Sequence, residues 1–215
     1  MSARPDAYLA PLRYRALTRW YDAVVDATTR GVEWRARLVR LAAPHEGQLV
    51  LDLGCGTGTL AATLARSAPG ATILGLDADE TALGIAYGKF TPGTARLSRG
   101  MAQRLPFPDG SLDIVVSSLF FHHLSRDSKQ TVLCETQRVL RREGRLVVAD
   151  WGRPAGLATR AGFLLVQALD GFETTRESVT GELPAMIERA GFDTALEHQP
   201  LVTALGVIRF WEARA

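Results

Sequence analysis

A chain of 215 residues with 47% apolar content is long enough to bury a substantial core. Its formal net charge of +2 is small and its arginines are scattered, which argues against a nucleic-acid partner. Two cysteines exclude a disulfide framework and a thiolate cluster; no metal, no signal peptide and no membrane span are expected, and a cytoplasmic protein acting on small molecules is.

Residues 7–43 have helical spacing. Pro11 suits a first helical turn, and Leu9, Leu12, Ala16, Trp20 and Val24 recur at intervals of three and four. Gly31 is expected to separate a second helix, with Val32, Leu38 and Leu41 as its apolar stripe and Arg35, Arg37 and Arg40 on the wet side. Tyr8, Tyr14, Trp20, Tyr21 and Trp34 make this segment aromatic, which fits helix–helix contacts or a substrate site beneath a lid.

From residue 48 short apolar runs alternate with helical stretches. Strands are predicted at 48–53, 71–77, 94–98, 111–118 and 145–150. Helices are predicted at 57–67, 79–90 and 126–142, the last closed by Gly144, with Arg138, Arg141 and Arg142 complementing its C-terminus. This alternation specifies a parallel sheet covered on both faces. Ligands then bind at the carboxyl ends of the strands, where the strand order reverses. Beyond Asp150 the pattern predicts helices at 154–170 and 178–190, an extended stretch at 191–198 and a returning strand at 201–212.

Residues 50–58, Val-Leu-Asp-Leu-Gly-Cys-Gly-Thr-Gly, read as a buried strand entering a glycine turn that opens a helix. Gly54, Gly56 and Gly58 permit a tight turn and close backbone approach to a ligand, and Cys55 supplies a small packing residue. The unpaired N–H groups of the following helix suit a carboxylate. A dinucleotide loop would place its third glycine at 59; Thr59 stands there, which disfavours a nicotinamide oxidoreductase. Asp52 would repel a pyrophosphate and attract a cationic group. Asp77 ends the second strand at the distance expected of an acid that holds ribose hydroxyls. A ribose, a cation and a carboxylate are together the features of S-adenosylmethionine.

The stretches at 51–58, 75–78 (Gly-Leu-Asp-Ala), 105–113 (Leu-Pro-Phe-Pro-Asp-Gly-Ser-Leu-Asp) and 138–150 occur in an order that resembles the class I S-adenosylmethionine-dependent methyltransferases of small-molecule type, a group that includes the ubiquinone/menaquinone-biosynthesis enzymes. The resemblance spans about residues 47–152. It implies an α/β, Rossmann-like fold: a seven-stranded, mostly parallel sheet with helices on both faces. A single domain would comprise an N-terminal helical lid (1–43), a cofactor-binding core (47–152), and C-terminal helices with a final strand hairpin (153–215).

It also implies site roles. Gly54, Cys55, Gly56 and Gly58 would lie under the methionine part of the cofactor, with Asp52 facing its amino group. Asp77 would hold the ribose and Ala78 would pack on the adenine. Met101 and Ala102 stand where the family has Asp-Ala, leaving adenine to backbone groups and packing. Ser117 and Ser118 would lead towards the methyl, and Tyr21, in a Tyr-Asp pair, would close from the lid. Glu143 replaces a glycine of the family's turn.

Methyl transfer is an in-line displacement in which the sulfonium loses its charge, so a dry, positioned site favours it. A base is needed only if the acceptor sheds a proton. His122 and His123 are the candidates; as neighbours, only one is expected to point into the site, and packing roles compete. Trp151, Arg153, Tyr14 and Tyr21 are weaker candidates, and Asp150 alone is thin support for a metal. Phe120, Phe121, Trp151, Phe163, Leu164 and Phe172 predict apolar surroundings for a small acceptor such as a quinone precursor or natural-product intermediate. A module that holds the cofactor without turnover is the alternative.

Overall fold

The computed structural model describes residues 26–90 and 95–215. The expectations on residues 7–25, including Tyr8, Tyr14, Trp20 and the site residue Tyr21, lie outside the described residues.

The first complete helix, α1 (Gly31–Ala42), follows a left-handed turn at Arg30 (φ 58°), so the break falls one residue before the predicted glycine. Its stripe is also rotated from the expectation. Trp34, Leu38, Val39 and Ala42 are buried, whereas Val32 is 73% exposed. Trp34 sets this phase: it is the largest apolar group on the helix, and its indole N–H donates to Thr29 Oγ1 at 3.1 Å. Arg35, expected in water, is buried beside it, with its guanidinium 4.8 Å from the indole ring and paired to Asp26.

The α/β rhythm then runs β1 (Leu49–Leu53), α2 (Thr59–Ser67), β2 (Thr72–Asp77), α3 (Glu80–Tyr87), β3 (Ala95–Arg99) and β4 (Leu112–Ser118). Asp79 caps α3 by accepting the N–H groups of Thr81 and Ala82, which starts the helix one residue later than predicted. Helix α4 (Arg126–Val139) is capped by Ser125.

Strand β5 (Leu140–Gly152) begins where the sequence predicted helix, and Gly144 does not close α4. Leu140 already pairs with Leu112 of β4, and regular pairing resumes at Arg145 opposite Ile114. The intervening residues bulge, with Glu143 at φ 64°. The arginines read as helix-end charges are used otherwise. Arg138 bonds Glu135, Asp109 and the carbonyls of Leu105 and Phe107, and Arg141 pairs with Asp113.

After β5 come α5 (Leu157–Asp170), α6 (Arg176–Thr180) and α7 (Leu183–Arg189). The single helix predicted over 178–190 is two, because Gly181 takes φ 76° between them. Strands β6 (Leu196–Thr203) and β7 (Gly206–Arg214) form a hairpin turning at residues 204–205, later than predicted. Pro200, which has no N–H to donate, falls where the β6 register shifts, on an edge strand.

The seven strands form one sheet in the order β3-β2-β1-β4-β5-β7-β6. The first five are mutually parallel, and β7 runs antiparallel between β5 and β6. Side chains alternate between two cores. Leu51, Leu53, Val115, Leu146 and Trp211 pack with α4 and α7, while Val50, Ile114, Val116, Val147 and Phe210 pack with α1, α2 and α5. The apolar content predicted for β4 is needed because all but its last residue is buried. Strand order reverses between β1 and β4, so the carboxyl ends of these strands form the crevice. Among the described residues no helix is long and apolar enough to cross a membrane.

Candidate active site

The glycine turn leaves β1 at that crevice. Gly54 and Cys55 both donate to the carbonyl of Leu76 at the end of β2, at 2.9 and 3.1 Å, which ties the turn to the neighbouring strand. Gly54, Gly56 and Gly58 all have left-handed φ (71°, 51° and 75°), which explains why three glycines are needed. Their surroundings differ. A Cβ on Gly54 would overlap the Phe120 ring, and one on Gly58 would come within 2.7 Å of Ala86. One on Gly56 would meet nothing within 4 Å. Gly56 alone of the three therefore opens on free space, next to the uncapped N-terminus of α2.

Two carboxylates belong to the strands that meet here: Asp77, which bonds Gly56 directly, and Asp52, two residues before Gly54 on β1. Asp52 is fully buried, and neither of its oxygens has a hydrogen-bond partner. Burial pushes its pKa up to about 7; the N–H of Ala61, outside hydrogen-bond geometry, works against this, and the charge of Asp77 adds to it. A buried, unpartnered carboxylate is costly and calls for a cationic partner.

Asp77 is anchored instead. Its Oδ2 accepts the Gly56 N–H and its Oδ1 the Asp79 N–H, each at 2.8 Å, leaving one lone pair per oxygen for a vicinal diol. Burial raises its pKa, and the two N–H bonds oppose the rise. The residues present thus fit S-adenosylmethionine on three counts: an orphaned carboxylate, an acid with two spare lone pairs, and a backbone surface free of side chain.

The remaining predicted cofactor residues are less uniform. Ala78 is half-buried beside Asp77, Met101 is exposed, and Ala102 belongs to the core. Cys55 is buried, and burial followed by the charges of Asp52 and Asp77 pushes its thiol far up, which matches the packing role. Ser117 is fully buried and donates to the Leu53 carbonyl at 3.0 Å, so its hydroxyl joins β4 to β1. Ser118, next in the strand, is half-buried.

The chain leaves β4 through Leu119, at φ 47°, and enters a short 3-10 turn at Phe121–His123. Both imidazoles, not one, converge on the same group. Their ring centroids are 3.9 Å apart. His122 Nε2 lies 3.6 Å from Asp170 Oδ2, and His123 Nδ1 lies 3.7 Å from Asp170 Oδ1. His122 Nδ1 faces Asp150 Oδ1 at 2.6 Å. Asp150 is held in turn by the N–H groups of Phe121 and Trp151, at 2.8 and 2.7 Å. Burial would lower the pKa of His122, but the charge and hydrogen bond of Asp150, with the charge of Asp170, outweigh it and raise it. Burial, then His122 and Lys129, hold His123 well below its ordinary value. Three side chains of a type able to ligate a metal, His122, His123 and Asp170, thereby gather with their ligand atoms within 4.8 Å of one another.

The acceptor surroundings expected from the aromatics are only partly found. Phe121 lies in one core, Trp151 and Phe163 pack together in the other with centroids 5.6 Å apart, and Phe172 and Leu164 are exposed. Phe120 meets the glycine turn at Gly54. Arg153 is exposed, and its carbonyl accepts two bonds from Arg209.

One buried group escaped prediction altogether. Lys129 is 1% exposed and donates to the carbonyls of Leu124 and Thr174, at 2.9 and 2.5 Å, and to Glu177 Oε2 at 2.7 Å. It fastens α4 to the segment after α5. Its signal in the sequence was its rarity, as one of two lysines in an arginine-rich chain.

Comparisons with known proteins follow this geometry. A family model described as a methyltransferase domain matches residues 50–144. A demethylmenaquinone methyltransferase of Thermus thermophilus is 34% identical over 209 residues, covering 88% of this chain and 91% of its own length. An uncharacterized methyltransferase of Synechocystis is 33% identical, covering 79% and 76%. A solved S-adenosylmethionine-dependent methyltransferase of Aquifex aeolicus superposes with a TM-score of 0.67 at 17% identity, covering 94% of this chain and 99% of its own, which is a likeness of fold.

Proposed function

Because the chain belongs to the S-adenosylmethionine-dependent methyltransferases, we propose that it moves the methyl to a small, partly hydrophobic acceptor, a quinol-like ring or a comparable natural-product intermediate. The observation that carries the cofactor reading is Asp52, whose buried carboxylate has no partner and stands below an open glycine turn. The name of the Thermus thermophilus relative, a demethylmenaquinone methyltransferase, supports the choice of acceptor class.

When bound, S-adenosylmethionine supplies an electrophilic methyl on a sulfonium. Asp52 pairs with the ammonium of the amino-acid part, and the N-terminus of α2 accepts its carboxylate. Asp77 takes the ribose hydroxyls on its spare lone pairs. Gly54, Cys55, Gly56 and Gly58 bring backbone close beneath the methionine, Ala78, Met101 and Ala102 flank the adenine, and Ser117 and Ser118 shape the exit of β4 towards the acceptor. This chain's contribution to rate is positional: it holds donor and acceptor in line and keeps water out. His122 and His123 lie on the loop that follows β4, and His122 Nε2, with its ring set by Asp150, would take the proton of an acceptor that must shed one.

The test is S-adenosylhomocysteine release from the purified chain with a panel of quinols, catechols and amines. Turnover confined to amines, or none with any ring hydroxyl, would refute the acceptor class. Unchanged cofactor affinity in Asp77→Ala would refute the placement of the ribose.

A further inference from the structure

We propose that His122, His123 and Asp170 form a binding site for one divalent transition-metal ion of zinc type at the acceptor side of the crevice. Their ligating atoms all lie within 4.8 Å of one another. The two measured imidazole–carboxylate separations, 3.6 and 3.7 Å, exceed hydrogen-bond length. None of the facing atoms, His122 Nε2, His123 Nδ1 or the Asp170 oxygens, is hydrogen-bonded to another described residue. A tetrahedral ion with bonds of about 2.0–2.1 Å would bring its ligand atoms to about 3.3 Å, so each imidazole–carboxylate separation closes by a few tenths of an ångström and the widest separation in the cluster, up to 4.8 Å, closes by about 1.5 Å through small side-chain rotations.

What surrounds the cluster has the form of a metal site's supporting shell. Asp150 Oδ1 lies 2.6 Å from His122 Nδ1 and accepts its proton in hydrogen bonding, which leaves the Nε2 lone pair aimed at Asp170. Asp150 is itself fixed by the backbone of Phe121 and Trp151, so the imidazole's orientation is set before any ion arrives. The charges also balance. Lys129, the buried cation of this region, is matched by Glu177 at 2.7 Å, so Asp150 and Asp170 together leave two negative charges to be neutralised. Two imidazoles and a carboxylate, with no thiolate, suit borderline divalent ions better than magnesium or calcium.

Three protein ligands leave a coordination position open, as in catalytic rather than structural sites. An acceptor hydroxyl would fill it: the O–H bond breaks, the proton passes to water, and the oxygen is held as its anion on the ion. This role rests on the methyl-transfer reading, whereas the binding site does not. In the metal-loaded chain Nε2 is ligated and has no lone pair to take a proton, so the role of His122 as base applies to the metal-free chain alone.

The experiment uses the whole chain, stripped with a chelator and titrated with cobalt(II) chloride. The expected result is a visible d–d absorption that saturates at one equivalent and is displaced by zinc. Asp170→Asn and His123→Gln should each weaken cobalt binding at least tenfold while S-adenosylhomocysteine binding stays within about twofold, which also reports folding. No absorption in the wild-type chain, or wild-type cobalt affinity in both variants, would overturn the site and leave the clustered groups sharing a proton. A wild-type chain that binds cobalt but not S-adenosylhomocysteine would instead count against the methyl-transfer reading alone.

Discussion

The Phe120 ring occupies the space where a Cβ on Gly54 would stand. The loop that carries His122 and His123 is therefore keyed directly to the glycine turn, in addition to the pairing of β1 with β4. Gly54→Ala should displace that ring and also strain a residue at φ 71°, costing about 2–4 kcal/mol of stability. Gly56→Ala adds its Cβ to free space and should cost only about 1–2 kcal/mol through its φ of 51°. Its larger effect should fall on S-adenosylhomocysteine affinity, by tenfold or more. Urea denaturation and calorimetry on the two variants separate the effects.

Asp52 makes the cofactor-free chain pH-sensitive. Its folded pKa, about 7, lies above its ordinary value of 3.8, so the folded state keeps a proton that the unfolded state releases. The stability contributed by that proton is present below pH 4 and is lost as pH rises from about 4 to about 7. Asp52→Asn should accordingly raise the stability of the cofactor-free chain at pH 8 by on the order of 2–4 kcal/mol, with the gain vanishing near pH 4. Thermal melts across that range check it.

The same carboxylate should make cofactor binding tighten with pH. A cationic amine favours ionised Asp52, so wild-type affinity should rise through about pH 7 as the proton no longer has to be expelled. In Asp52→Asn that rise should disappear and affinity at pH 8 should fall tenfold or more. Calorimetry in buffers of different ionisation enthalpy would register the released proton.

Lys129 and Glu177 form a buried pair at 2.7 Å. Burial works to raise the Glu177 carboxyl, but Lys129, with Arg126, holds it below its ordinary range. Lys129→Met should destabilise the chain by about 3–5 kcal/mol, because it takes the buried donor from Glu177 Oε2 and from the carbonyls of Leu124 and Thr174 and leaves Glu177 with only the longer Arg126 contact at 3.3 Å. Adding Glu177→Gln should recover part of that loss, and a chemical-denaturation cycle over the four chains measures the coupling.

Turnover should fall at least tenfold in His122→Ala at unchanged S-adenosylhomocysteine affinity. Normal turnover in both His122→Ala and His123→Ala would remove the imidazoles from the chemistry.

How much of this was readable in advance depended on sequence distance. Asp52, the three glycines and Asp77 lie within 26 residues of one βαβ unit, whose geometry is local enough to be read from spacing. The sheet followed from the apolar runs. Asp170 did not, because it reaches His122 only through the length and direction of α5. The end of α4 was misread since Arg138, Arg141 and Arg142 suit a helix C-terminus, whereas the pairing of Leu140 with Leu112 is a tertiary contact that overrides local preference. Val32 and Arg35 were exchanged for a similar reason: the packing of Trp34, not the count of apolar residues, sets the phase of α1.

The place of β7 in the sheet bears on biosynthesis. It follows all six other strands in the chain yet lies inside the sheet, with Asp150 opposite Arg209. A nascent chain can form the parallel strands that present the glycine turn, but the outer flank of β5 stays bare until residues 206–214 have left the ribosome. The strands that carry the glycine turn and the histidine loop are thus synthesised well before the strand that closes the sheet beside β5.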